Sequence, residues 1–188
     1  MTAKAYDLVV SLGTDHHHFD RLVGWVDAYL EAHPEISCLV QHGFTAAPQH
    51  AETVERIPRA DLLELYRVAK VVLVQGGPGS ILDAREVGAI PLAVPRVAEL
   101  DEVVDNHQVE FSRVMEEYGE TIVVTSADDL THKLDAAFAD PGSLRGSIRV
   151  PGNDQAADIL SQELLTLEEQ HPSFLRRARH ILSGLRGK

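Results

Sequence analysis

Three short runs in this sequence hold residue types suited to an anionic, hydroxyl-rich ligand. Gly76-Gly77-Pro78-Gly79-Ser80 follows the apolar run Val71–Gln75 and precedes a helical pattern. Glycines at such a junction permit positive φ and close backbone approach, and the helix start offers free N–H groups and a positive dipole end. A diphosphate is the natural guest. The same glycines would also serve a plain tight turn between strand and helix. The run is not a Walker A loop, because no Gly-Lys-Ser/Thr follows, and it lacks the GxGxxG spacing. Asp83 lies four residues past Gly79, on the first turns of the expected helix. An acid there can accept hydrogen bonds from ribose hydroxyls, or simply complement the helix dipole for about 0.3–1 kcal/mol. Asp105-Asn106-His107-Gln108 opens another helical pattern. Asp105 or Asn106 can cap it, whereas His107 and Gln108 carry donors and acceptors suited to sugar hydroxyls. Gln108 would be equally at home on a solvated helix face.

His16-His17-His18 invites a metal. Consecutive histidines on a loop point in different directions and rarely close a site without acids or cysteines placed to complete it. No metal site is expected.

The elements that must position these runs alternate between short β-rich and longer helical patterns. Strands are expected over Tyr6–Leu12, Ile36–Gln41, Thr53–Ile57, Val71–Gln75, Pro91–Val94 and Thr121–Val124. Helical spacing runs from Phe19 to the His33-Pro34 stop, from Asp61 to Ala69, from Gly79 to Val87 with Gly88 as its stop, and from about Asp105 to Tyr118. Ser126-Ala-Asp-Asp opens a further helix. Such alternation implies an α/β domain, a parallel sheet covered by helices on both faces with right-handed crossovers. In that architecture ligands bind at the carboxyl ends of the strands, and the glycine run, Asp83 and the Asp105–Gln108 run follow strand ends.

Composition narrows the partners. Hydrophobic residues make up 44% and charged residues 24% of 188 residues, room for one α/β domain and an appendage. One cysteine, Cys38, cannot build a disulfide framework and fits a reducing compartment. No run approaches a membrane span, the N-terminus reads as a buried strand rather than a signal peptide, and the cytoplasm is the expected location. A net charge of −12 argues against a general nucleic-acid binder. From Pro172 to Lys188 there are five cations and no acid, leaving 12 basic against 29 acidic residues elsewhere. Phe174, Ala178, Ile181, Leu182 and Leu185 share one face of a helix there. Such a basic amphipathic helix suits an anionic membrane surface, or docking on its own domain or a partner.

Taken in order, Gln75–Gly88, Pro91-Leu-Ala-Val-Pro95 and Asp105–Gln108 resemble the C-terminal, donor-binding domain of a UDP-sugar glycosyltransferase family. That family includes the enzyme adding GlcNAc to the lipid precursor of peptidoglycan and the catalytic subunit of the two-component enzyme acting on dolichol-linked sugar. The nearest resemblance is to small bacterial exopolysaccharide subunits of two-component design. Val9–Asp15 with Phe19-Asp20, and Gln41-His-Gly43, are similar to the family's first and second strand ends, so the likeness spans about residues 6–140.

The resemblance implies a Rossmann-like half of a GT-B fold. Gly13, Thr14 and the Gly76–Ser80 run, with Gly77, Pro78 and Gly79, would face the donor diphosphate. Asp83 would hold the ribose, the backbone near Ile57 would meet uracil, and His107 and Gln108 would contact the donor sugar. One histidine of the run, His16 or His17, would lie near the sugar or acceptor. GT-B enzymes need no bound metal, because helix dipoles and backbone N–H groups stabilise the departing UDP. Where the family often has His before the glycines, this chain has Gln75, which bears on donor preference or diphosphate contact.

The expected organisation is a nucleotide-sugar-binding domain over 1–140, then a hinge and helical extension over 141–188, with helices at Asp154–Glu169 and Ser173–Leu185. The expected activity is inverting transfer from a UDP-sugar to a lipid-linked glycan in polysaccharide biosynthesis. No residue is a convincing general base, so a membrane-anchored partner subunit is expected to supply it along with the acceptor site. The alternatives are a non-catalytic nucleotide-binding module and a sugar-nucleotide epimerase of similar build.

Overall fold

The computed structural model describes residues 5–149. The two C-terminal helices expected from sequence, and with them the basic amphipathic face, lie outside the described residues.

Six parallel strands form one sheet: β1 (Leu8–Ser11), β2 (Cys38–Gln41), β3 (Glu52–Val54), β4 (Val71–Gln75), β5 (Leu92–Val94) and β6 (Ile122–Val123). Their order across the sheet is β3-β2-β1-β4-β5-β6. Five helices cover it: α1 (Asp20–Ala32), α2 (Arg59–Val68), α3 (Pro78–Glu86), α4 (His107–Glu117) and α5 (Ala127–Ala139). This is the Rossmann-like α/β architecture.

The central strands are apolar up to their carboxyl-terminal residues, Ser11 and Gln75, because both faces of the sheet are covered. Strand periodicity then divides their side chains between two cores. Leu8 and Val10 of β1, with Val71 and Leu73 of β4, pack against Leu22, Val26 and Leu30 of α1 and Leu130 and Leu134 of α5. Val9, Val72 and Val74 pack oppositely, against Leu62 and Tyr66 of α2 and Ile81 and Ala84 of α3. Full burial of each such side chain contributes about 1.5–3 kcal/mol. A one-residue slip in register would exchange the two sets.

Local chemistry sets the element ends. The Ser126 side chain accepts the Asp129 N–H at 3.1 Å, and Asp129 reaches back to the Thr125 N–H at 2.9 Å, so reciprocal caps open α5. Asn106 sits at the N-cap position of α4 without capping it. Its side chain instead accepts from the Ala98 N–H at 2.9 Å, while Asp105 accepts the His107 N–H at 3.0 Å. β3 ends earlier than the sequence suggests, because the Ile57 N–H is taken by the Gln41 side chain at 2.9 Å instead of a ladder partner. β2 and β3 are joined without a helix. Asp27 of α1 stands in, accepting the backbone N–H groups of Gln49 and His50.

Beyond α5, a 3-10 turn at Pro141–Leu144 sends the chain back toward the α3–β5 turn. The Ile90 N–H donates to Leu144 O and the Gly146 N–H to Gly88 O, and Arg145 bridges antiparallel to Ala89. Residues 141–149 thus pack with the sheet domain, and the first compact unit of the chain runs through Arg149.

Candidate donor site

Strand order locates the crevice. The chain moves outward from β1 to one side and from β4 to the other, so the loops leaving these neighbours diverge above their carboxyl ends. The β1 loop begins Leu12-Gly13-Thr14 and the β4 loop is Gly76-Gly77. Gly13 has φ +78°, and a Cβ there would lie 3.0 Å from the Gln75 Nε2. A side chain at this position would meet both backbone strain and the Gln75 amide.

At the start of α3, Gly76 and Gly77 serve close packing. Gly77 is extended, with φ −77°, and the positive-φ glycines among the described residues are Gly13, Gly43, Gly88 and Gly119. The freedom for positive φ that the sequence suggested at Gly76, Gly77 and Gly79 is not used, because Pro78 at the first helical position lets the chain enter α3 directly from β geometry. A Cβ on Gly76 would come within 2.5 Å of Ser112 Oγ and 2.7 Å of Pro95 Cα, while one on Gly79 would meet nothing within 4 Å. The Gly77 N–H is already engaged by Gln75 Oε1 at 2.8 Å, and Gln75 Nε2 donates to Ser80 Oγ at 3.1 Å. Among the described residues, no protein acceptor meets the Gly79 or Ser80 N–H. These are the two orphan donors that a helix N-terminus offers an anion.

A cavity of about 360 Å³ lies against this turn. Gly13, Thr14, Ile57, Gly79, Ser80 and Asp83 line it, together with Ser11, Gln41, Arg56, Arg59, Leu62 and Gln75. Such a volume is in the range of small-molecule sites. Asp83 is the sixth residue of α3, past its first turn, which holds no acid. Dipole complementation therefore does not explain it. It instead pairs with Arg59 across α2 and α3 at 2.8 Å. Hydrogen bonds to Asp83 and Glu86 raise the Arg59 pKa and keep that guanidinium charged.

Gln41 spans the floor, donating to Ser11 Oγ at 3.1 Å while accepting the Ile57 N–H. It ties the β3–α2 loop to the strand ends.

The remaining expected residues lie elsewhere. Gly76, Gly77 and Pro78 shape the turn without lining the cavity, and Ser112 donates to the Gly76 carbonyl at 3.0 Å. Gln108 is buried, its Oε1 3.4 Å from the Arg96 N–H, and His107 is exposed and paired with Asp105. Neither lines the cavity. His16, His17 and His18 line a second groove of about 630 Å³ with Arg21 and Glu102.

Sequence reasoning missed Arg96, which is 1% exposed. Its guanidinium donates to the carbonyls of Leu12 at 3.0 Å, His17 at 2.9 Å and Glu102 at 2.9 Å, and lies over the Phe19 ring at 4.5 Å. It joins the loop after β5 to the loop after β1. An arginine directly after an apolar strand and a proline, Leu92-Ala-Val-Pro-Arg96, was the available signal.

Residues 28–162 match the model of the glycosyltransferase family 28 C-terminal domain, more than half of the chain. The chain belongs to that family. The match begins after the Gly13-Thr14 loop and takes in the α3 turn, Asp83 and Gln108. No curated protein matches. Among solved structures, this family 28 domain is similar to the glycotransferase of kitacinnamycin, at TM-score 0.57 and 18% identity over 74% of this chain and 37% of that one. It is also similar to Acinetobacter baumannii MurG, at TM-score 0.54 and 15% identity over 77% and 44%. A third is Methanocaldococcus jannaschii UDP-GlcNAc 2-epimerase, at TM-score 0.56 and 11% identity over 86% and 46%. The domain thus has the fold of GT-B C-terminal domains, and the chain spans less than half the length of these structures. Among the described residues no helix is long and apolar enough to cross a membrane.

Proposed function

We propose that this chain is the donor-binding, catalytic subunit of a two-component inverting glycosyltransferase that uses a UDP-sugar. One observation carries the reading: a cavity at the β1/β4 switch point sets the free Gly79 and Ser80 N–H groups beside the Asp83 carboxylate. Amides and a helix dipole suit a diphosphate, and a carboxylate one helical turn on suits ribose hydroxyls. The family 28 membership supports it, as does the UDP-GlcNAc named for the 2-epimerase structure.

The partner follows from chemistry. Inverting transfer needs a base to deprotonate the acceptor hydroxyl while UDP leaves from the opposite face. The one carboxylate lining the cavity, Asp83, is paired with Arg59, and His17 in the neighbouring groove is paired with Asp15. A second, membrane-anchored subunit would supply the base and a lipid-linked acceptor, as in exopolysaccharide assembly on the cytoplasmic membrane face. His107 and Gln108 would then meet the donor sugar only once the two halves close.

Calorimetry with UDP and a panel of UDP-sugars tests the donor site, and absence of binding would refute it. Sugar transfer to a lipid-linked acceptor should require the membrane fraction that carries the partner. Substantial transfer by the purified chain alone would refute the two-subunit reading, and release of an epimerised UDP-sugar would favour an epimerase.

A further inference from the structure

We propose that Asp15, His16 and His17 form a binding site for a divalent transition-metal ion. The argument from sequence, that adjacent histidines diverge, does not hold for this pair. Both Nδ1 atoms face the same carboxylate oxygen, Asp15 Oδ1, at 2.7 Å from His17 and 3.5 Å from His16. The rings lie 4.1 Å apart between centroids. One donor atom from each residue lies within 4.8 Å of the other two.

Tetrahedral bonds of about 2.0–2.2 Å set neighbouring donor atoms roughly 3.3–3.5 Å apart. The His16 contact already has that spacing. The His17 contact, at 2.7 Å, is a hydrogen bond, and it would open by roughly 0.6–0.8 Å through a rotation of the ring as a metal replaces the shared proton.

The loop is held in this shape from below. Arg96 donates to the carbonyls of Leu12, His17 and His18, and the His17 N–H donates to Asp15 Oδ1 at 2.9 Å.

Asp15, Asp20, Asp101 and Glu102 outnumber Arg21 and Arg96 around the groove, so the local field favours a cation. Selectivity among cations comes from the two imidazole nitrogens. That favours Zn²⁺, Co²⁺, Ni²⁺ or Cu²⁺ over Mg²⁺ or Ca²⁺. Three protein ligands leave an open position, as in catalytic zinc sites. The histidines also line the roughly 630 Å³ groove, which has room for water or a substrate group. This inference does not depend on the donor reading.

The test is titration of the full chain with zinc and cobalt chlorides near neutral pH, without nucleotide, by calorimetry and cobalt absorption. The expected result is one ion per chain with micromolar affinity, no response to magnesium, and loss of binding in His16→Ala/His17→Ala. A His33→Ala/His50→Ala chain should keep it. Imidazole nitrogen shifts in the unaltered chain should move first at His16 and His17, a readout that does not depend on any variant folding. Binding only at millimolar metal, binding that survives the His16/His17 double substitution, or shifts confined to other histidines would overturn the proposal.

Discussion

Arg59 and Asp83 meet beside the cavity at the start of α3, with Nε and Nη2 of the guanidinium both donating to Oδ1, at 3.0 and 2.8 Å. Arg59 also reaches Glu86. Among the described residues no hydrogen bond engages Asp83 Oδ2, so one oxygen is fixed by protein and the other is presented.

This geometry separates two substitutions. Asp83→Ala removes the acceptor itself, and hydrogen bonds to a charged group contribute about 1.5–3 kcal/mol, so UDP affinity should fall roughly 10- to 150-fold. Arg59→Ala leaves the carboxylate but frees its rotamer, and the loss should be smaller. Neither should move stability by more than about 1 kcal/mol, because Arg59 is largely exposed. Calorimetry with UDP and thermal melts measure both. Unchanged affinity in Asp83→Ala would remove Asp83 from the site.

Gln75 supports a second contrast. Its carboxamide accepts the Gly77 N–H and donates to Ser80 Oγ. Gln75→Ala should cost about 0.5–1.5 kcal/mol, as loss of an ordinary intramolecular hydrogen bond does. Gln75→Glu keeps the acceptor and places an anion at the positive end of α3, so stability should hold. The same charge repels a diphosphate, and UDP binding should weaken. A glutamate variant that binds UDP as tightly as the parent would place the diphosphate elsewhere.

Much of this was legible in sequence, and for identifiable reasons. Val71–Gln75 and Gly76–Ser80 were readable because a doubly buried strand is apolar along nearly its whole length and a glycine run at its end marks the turn into a helix. Asp83 came from its place four residues past Gly79 as well as from resemblance, Ile57 from resemblance alone, and both line the cavity. The partners of Arg59, Gln41 and Arg96 were not readable, even where the residue itself stood out, as Arg96 does after Leu92-Ala-Val-Pro95. Their roles arise from pairings across 24, 16 and 84 positions of sequence, which no local pattern encodes. His107 and Gln108 begin α4 as their spacing suggested, yet helix start alone does not say which cavity a side chain meets. The convergence of His16 and His17 was hidden because Asp15 and Arg96 set the loop shape.

At the opposite, amino end of β1, Asp7 gives a pH-dependent prediction free of the donor site. Lys70 at 2.7 Å and the Ser37 hydroxyl and N–H hold its carboxyl down to about 2, against an ordinary value of 3.8. A depressed folded-state pKa contributes stability that is complete above the unfolded value, near 3.8, and is lost as pH falls toward about 2. Asp7→Asn should therefore be less stable than the parent at neutral pH, and the two should converge between about pH 4 and pH 2. Melting temperatures across that range check it. A gap that persists undiminished at the acid end would mean that Asp7 acts through geometry alone, while UDP affinity should be the same in both chains.

Arg96 offers the sharpest test of how the donor loop is held. Burial lowers its pKa, so desolvation costs the folded state something, and its Nε has no partner. What offsets this is the set of backbone carbonyls from Leu12, His17 and Glu102, each within 3.0 Å of a guanidinium nitrogen. A lysine ammonium has its donors on one atom and cannot span carbonyls reached here by two separate nitrogens. Arg96→Lys should leave at least one buried carbonyl orphaned, at about 1–3 kcal/mol. Since Leu12 directly precedes Gly13, UDP affinity should fall as well, although Arg96 itself does not line the cavity. Urea unfolding with an unchanged slope, read beside UDP calorimetry, separates the two effects. If Arg96→Lys lies within about 0.5 kcal/mol of the parent, as an unremarkable surface change would, the guanidinium is not what orders the loop.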